Sequence, residues 1–144
     1  MFGLGKLAGR LMGSAKKLEN RDQVEATIAG GVFIGWADGD FSTEEVSTLS
    51  SALQNNEKLS HFGSEIPAMV EKFNKFMQDG PTLGRVKILK EIRDLKGDEE
   101  ACIEVLATLI DIAKSGDGKV EPVEREALET IARELGLSLS MFGL

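Results

Sequence analysis

Asp38-Gly39-Asp40-Phe41-Ser42-Thr43-Glu44-Glu45 returns in thinned form as Asp117-Gly118-Lys119-Val120-Glu121-Pro122-Val123-Glu124. The displacement, from 38 to 117, is 79 positions. Both stretches read Asp-Gly-x-apolar-x-x-x-Glu. Asp-Gly stops a preceding helix and makes a turn, and the glutamate falls in the first turn of a following one. The register extends outward. Leu49 meets Leu128, Val24 meets Ile103 and Glu25 meets Glu104. Each copy therefore reads helix, acidic loop, helix. Duplication predicts two units packed about a pseudo-twofold axis, with the helices that precede the two loops meeting near its centre.

The helices around these loops follow from apolar spacing. Val24, Ile28, Val32 and Trp36 recur every fourth residue and predict a helix over 22–37. Gly30, Gly31 and Gly35 lower its intrinsic helicity, so they are expected to admit close packing. Val46, Leu49 and Leu53 place a helix from Ser42 to Asn55. Ile66, Met69, Val70, Phe73 and Phe76 place another over 64–76, with Pro67 in its first turn. Gly80-Pro81 breaks it. Residues 83–95 follow, with Val86, Ile88, Leu89 and Ile92 expected inward. Gly97 closes that helix and Asp98 caps the next, which runs to Lys114 with Ile103, Leu106, Ile110 and Ala113 on one face. The last runs from Pro122 to Leu135, with Gly136 as its cap. Leu4, Leu7, Leu11 and Met12 add a helical pattern over 2–13. No stretch alternates with period two. The expectation is an all-α, single-domain bundle of about seven helices with internal pseudo-twofold duplication. Residues 1–19 form a basic segment and connector, and residues 20–144 the domain.

Composition bounds the function. The chain has 144 residues, 42% hydrophobic and 28% charged, with net charge −7. That is globular composition, and an acidic surface repels phosphate, so no nucleic acid is expected as partner. One cysteine, Cys102, and one histidine, His61, leave no thiol knuckle and no multi-histidine zinc site. Residues 1–17 carry Lys6, Arg10, Lys16 and Lys17 and no acid. This amphipathic stretch allows weak peripheral contact with anionic membrane. No continuous apolar run follows those charges, so the chain reads as cytosolic.

The acidic loops have two readings. In one, Ser42-Thr43-Glu44-Glu45 is a capping box, and Pro122 and Glu124 serve as N1 and N3 of their helix. In the other, Asp-Gly-x-apolar-x-x-x-Glu is the second half of an EF-hand loop. Its first half fails in both copies, where Ile34 or Ala113 and Trp36 or Ser115 occupy the remaining ligand positions. Two carboxylates do not supply the 6–8 oxygens calcium takes, so an EF-hand is excluded. A shared site stays open: Asp38, Asp40, Glu44 and Glu45 with Asp117, Glu121 and Glu124. These are hard oxygens, suited to Ca²⁺, Mg²⁺ or Mn²⁺.

With residues Ile34 to Glu45, Ile112 to Ser115, Asp117-Gly118 to Glu124, the ending Ile131-Ala132-Arg133-Glu134-Leu135-Gly136 and the closing Met141-Phe142-Gly143-Leu144, the chain resembles the TerB family. These are small helical proteins of tellurite-resistance and stress-response gene clusters. The resemblance covers about residues 20–144. It implies a seven-helix fold with internal pseudo-symmetry and an acidic patch that binds divalent metal. Family acids carry over to Asp38, Glu45, Asp117 and Glu124, with Glu44 and Glu121 as neighbours. It also implies a non-enzymatic partner in a cytosolic complex at the membrane, alongside an integral membrane protein of the same cluster. The pattern departs at residues 77–84, a short Gly-Pro link whose remaining acid is Asp79. Two further readings stand beside this one: a metal-dependent hydrolase using the same acids, and a structural helical adaptor without metal.

Overall fold

The computed structural model describes residues 21–37, 39, 41–114 and 118–144, with Lys58 and Ser60 described in backbone only. Among them six α-helices appear and no strand: α1 Arg21–Gly35, α2 Thr43–Gln54, α3 Ile66–Asp79, α4 Pro81–Arg93, α5 Glu99–Ala113 and α6 Pro122–Glu134. Two 3₁₀ segments, Glu57–Phe62 and Leu139–Phe142, complete the order. The helix expected over 2–13 lies outside the described residues.

α1 is the hub and packs against all five other helices. Val24 and every residue from Ala26 to Ile34 are buried. A helix surrounded in this way needs apolar or small residues on every side rather than a stripe. Its glycines provide that. A Cβ on Gly30 would lie 2.5 Å from Leu109 Cδ1, and one on Gly35 would lie 2.5 Å from the Phe41 ring. The close-packing role expected for these glycines is observed, and α5 is the helix that Gly30 admits.

Local signals set the boundaries. The Ser42 hydroxyl accepts from the Glu45 N–H at 3.1 Å, while Glu45 Oε1 accepts from the Ser42 N–H at 3.1 Å, so α2 opens on a complete capping box. Asp98 Oδ1 accepts from the Ala101 N–H at 3.1 Å and opens α5. Gly97, at φ +113°, makes the left-handed turn before it.

α3 and α4 form a tight hairpin through Gly80. At Gly84 a Cβ would sit 2.3 Å from the Phe76 carbonyl oxygen, so only glycine lets the two backbones meet there. This contact corrects the reading of α4. Its buried stripe is Gly84, Ile88 and Ile92. Val86, expected inward, is 55% exposed. At about 100° per residue, Val86 stands roughly 200° from Gly84 and is turned to solvent.

Candidate functional site: the paired acidic loops

The described residues of the two loops correspond at their glycines and at their N-caps. Gly39 (φ +85°) and Gly118 (φ +78°) occupy the left-handed region. Their N–H groups donate back to the ends of the preceding helices, to the Trp36 carbonyl at 2.8 Å and the Lys114 carbonyl at 2.9 Å. Three residues on, Ser42 (φ −65°, ψ 161°) and Glu121 (φ −66°, ψ 152°) hold the same extended N-cap conformation. The Glu121 N–H donates to Glu124 Oε1 at 3.0 Å, matching the bond from Ser42 to Glu45.

A cleft of about 260 Å³ opens between α1, α2, α5 and the start of α6. Glu45 and Glu124 both line it, with Ile34, Phe41, Thr48 and Ala113 among its walls. The two glutamates come from the corresponding position of each loop. Glu45 is exposed and Glu124 half-buried. Glu44 is exposed in the first turn of α2, and Glu121 is exposed at the N-cap of α6. Asp38, Asp40 and Asp117 lie outside the described residues. Among the described residues, no three His, Cys, Asp or Glu side chains form a group able to hold a metal ion. The described donors nearest such a role are the two cleft carboxylates, which are hard oxygens. Each spends one oxygen on its N-cap, and a carboxylate offers a second.

The wall behind the first loop is aromatic. Trp36 meets Phe41 edge-on, with ring centroids 6.4 Å apart. Its indole N–H donates to Asn74 Oδ1 on α3 at 2.8 Å. Asn74 was not legible as a buried residue, because a polar side chain in an apolar register shows its purpose only when its partner is known. Cys102 is buried, donates to the Leu95 carbonyl at 3.3 Å, and burial pushes its thiol above the ordinary value.

A second unforeseen feature is a carboxyl pair. Glu91 on α4 is half-buried and hydrogen-bonded to Glu25 on α1. Burial first, then Glu25 by hydrogen bond and charge, push Glu91 up from 4.5 to about 7. Arg21 holds the other side of Glu25 at 3.0 Å and also reaches Glu65 at 2.9 Å. The two residues lie 66 positions apart, so no local motif announces the pair.

The fold and loops define a class: an all-helical protein carrying two matched acidic turns beside a central buried helix. The chain belongs to the TerB family, whose model, described as tellurite resistance protein TerB, matches residues 24–143. No curated protein and no solved structure matches the chain. Among the described residues no helix is long and apolar enough to cross a membrane.

Proposed function

We propose that this chain is a non-enzymatic interaction module in which two duplicated helix–loop–helix units hold one divalent cation between them. The observation that carries the reading is the placement of Glu45 and Glu124 on one cleft. Ile34 and Ala113, also 79 positions apart, line it too. Gly30 and Leu109 stand at the same displacement and touch. A residue that contacts its own counterpart sits beside a twofold axis, so these pairs support a pseudo-symmetric duplication with the cleft on its axis.

In this reading Asp38, Asp40 and Asp117 join Glu44, Glu45, Glu121 and Glu124 as the acidic set. Repulsion among them is relieved by Ca²⁺ or Mg²⁺, with Mn²⁺ as the next candidate. The bound ion fixes both loops against α1. It thereby sets the surface shown to a protein partner, an integral membrane protein encoded in the same cluster, in a cytosolic complex.

Helix capping is the competing account of the two glutamates, and one substitution separates the readings. Glutamine keeps the capping oxygen but removes the charge. The full chain is titrated with Ca²⁺ and Mg²⁺ to millimolar concentration while amide shifts are followed. The expected result is movement of Asp38, Gly39, Asp117 and Gly118 in the native chain. In Glu45→Gln/Glu124→Gln those shifts vanish while the melting temperature of the metal-free protein is unchanged. Native loops that stay still throughout would leave the glutamates as caps alone. For the hydrolase reading, Mn²⁺-supported phosphatase or nuclease turnover abolished by Asp117→Ala would replace the present one.

A further inference from the structure

On an acidic chain, α4 is the exception. Its thirteen residues carry Arg85, Lys87, Lys90 and Arg93 against one acid, Glu91. Glu91 is half-buried beside Glu25, whereas the four cations are exposed. The same helix shows Leu83 at 59% and Val86 at 55% exposure, three positions apart on one face. The other large exposed apolar residue among those described is Val123, at 45%, on the first turn of α6. Val123 lines a groove of about 140 Å³ between α4 and α6, with Phe33, Met77 and Ala127 in its walls and Thr130 and the carboxylate Glu126 at the α6 side. Arg85 lines the groove as well, its guanidinium 4.8 Å from the centre of the Phe33 ring. This groove shares no residue with the acidic cleft.

We infer that the outward face of α4 and the adjoining α4–α6 groove dock an acidic amphipathic helix of a partner protein. Three features fix the occupant. The apolar residues recur at helical spacing and match one stripe of a second helix. Arg93 and Lys90 are paired within the chain, to Glu134 at 2.9 Å and to Asp94 at 4.0 Å, so Arg85 and Lys87 are the cations that call for acids on that helix. The groove has depth, which accepts one apolar side chain, whereas a bilayer meets a surface without entering grooves. An anionic membrane is also disfavoured by the net charge of −7 carried by the chain as a whole.

The test uses the full ¹⁵N-labelled chain and a synthetic helical peptide with leucine on one face and glutamate on the other. Its partner probe has lysine for every glutamate. Vesicles of phosphatidylcholine with phosphatidylserine form the third arm. The glutamate peptide is expected to shift the amides of Leu83, Val86, Lys90 and Val123, and to bind less as salt rises. Leu83→Ser/Val86→Ser and Lys87→Glu/Lys90→Glu should each weaken it about tenfold or more. The substituted side chains are exposed, so the far-ultraviolet circular dichroism of both variants should match the native chain. Absence of shifts at these amides overturns the inference. So does equal binding of the lysine peptide, or native affinity in the variants. Shifts produced by vesicles but not by peptide would assign the surface to lipid instead.

Discussion

The two acidic loops share a left-handed glycine and an extended N-cap, and differ in what lies beneath them. Gly39 and Gly118 have nearly the same φ, and each following glutamate accepts from its own N-cap. Under the first loop, however, Phe41 is buried with its ring over Gly35. Under the second, Val120 takes the place of Phe41 and is half-buried, and Lys114 takes the place of Gly35. The helices differ in the same sense. α1 offers Gly30 and Gly31 where α5 has Leu109 and Ile110. Small residues of α1 thus receive large residues from α5 and α2. A glycine turn and an N-cap need only local bonds, but a packed interface needs complementary volumes, so the caps match while the cores do not.

The largest expected effect is at the contact between α1 and α5. Leu109 is fully buried, and Leu109→Ala should cost about 3–4 kcal/mol in urea unfolding. Gly30→Ala alone should cost about 1 kcal/mol, since its Cβ would press on Leu109, whereas after Leu109→Ala it should stabilise by up to about 1 kcal/mol through helix propensity. A coupling of roughly 1–2 kcal/mol follows, and strictly additive costs would break the complementarity argument. Next in size are the loop residues themselves. Phe41→Ala should cost about 3 kcal/mol and Val120→Ala less than about 1 kcal/mol, because only Phe41 is enclosed. Equal losses at the two sites would mean that the second loop is packed as firmly as the first.

Much of this was legible before the structure. Gly80-Pro81, Asp98, Pro122 and Gly136 mark helix ends through local backbone chemistry and act as read, whereas Gly97 turns the chain before Asp98 but α4 already ends at Arg93, with Asp94 as its cap. The pairing of Glu45 with Ser42 follows from spacing alone. Three features were not legible, and each depends on a contact between distant residues. Val86 faces solvent because Gly84 turns α4 onto the backbone of α3. Asn74 is buried because Trp36 donates to it. The 3₁₀ segment Glu57–Phe62 stands where no periodic stripe exists, and it is pinned by Leu59, which is fully buried. For the site, spacing named both cleft glutamates but could not place them on one cleft.

Glu25 and Glu104 sharpen the comparison at the far end of the same two helices. They are counterparts, yet Glu25 faces Glu91 of α4 while Glu104 is buried at 7% exposure. α4 therefore gives α1 an electrostatic neighbour in Glu91. Glu91 ionises near 7 in the folded chain and near 4.5 when exposed. Below 4.5 both states hold the proton, and the stabilisation is complete. As pH rises the unfolded chain releases its proton first, so stability falls until about pH 7 and then levels. The swing should be on the order of 1–2 kcal/mol once solvent screening of a half-buried group is allowed for. Glu91→Gln should flatten this part of the curve between pH 5 and pH 8. A curve of unchanged slope in that variant would assign the pH dependence to other groups.

The smallest expected difference lies at the caps. Ser42→Ala removes the hydroxyl that accepts from the Glu45 N–H, at an exposed helix start. The loss should be about 0.5–1 kcal/mol. Glu121→Ala acts differently. The backbone N–H of residue 121 still donates to Glu124, and Pro122 still presets the first turn. Its cost should stay below about 0.5 kcal/mol by the same reasoning. If Glu121→Ala proved the more damaging of the two, the second loop would depend on its side chain in a way that the first does not. The two N-caps, alike in φ and ψ, would then be held by unlike means.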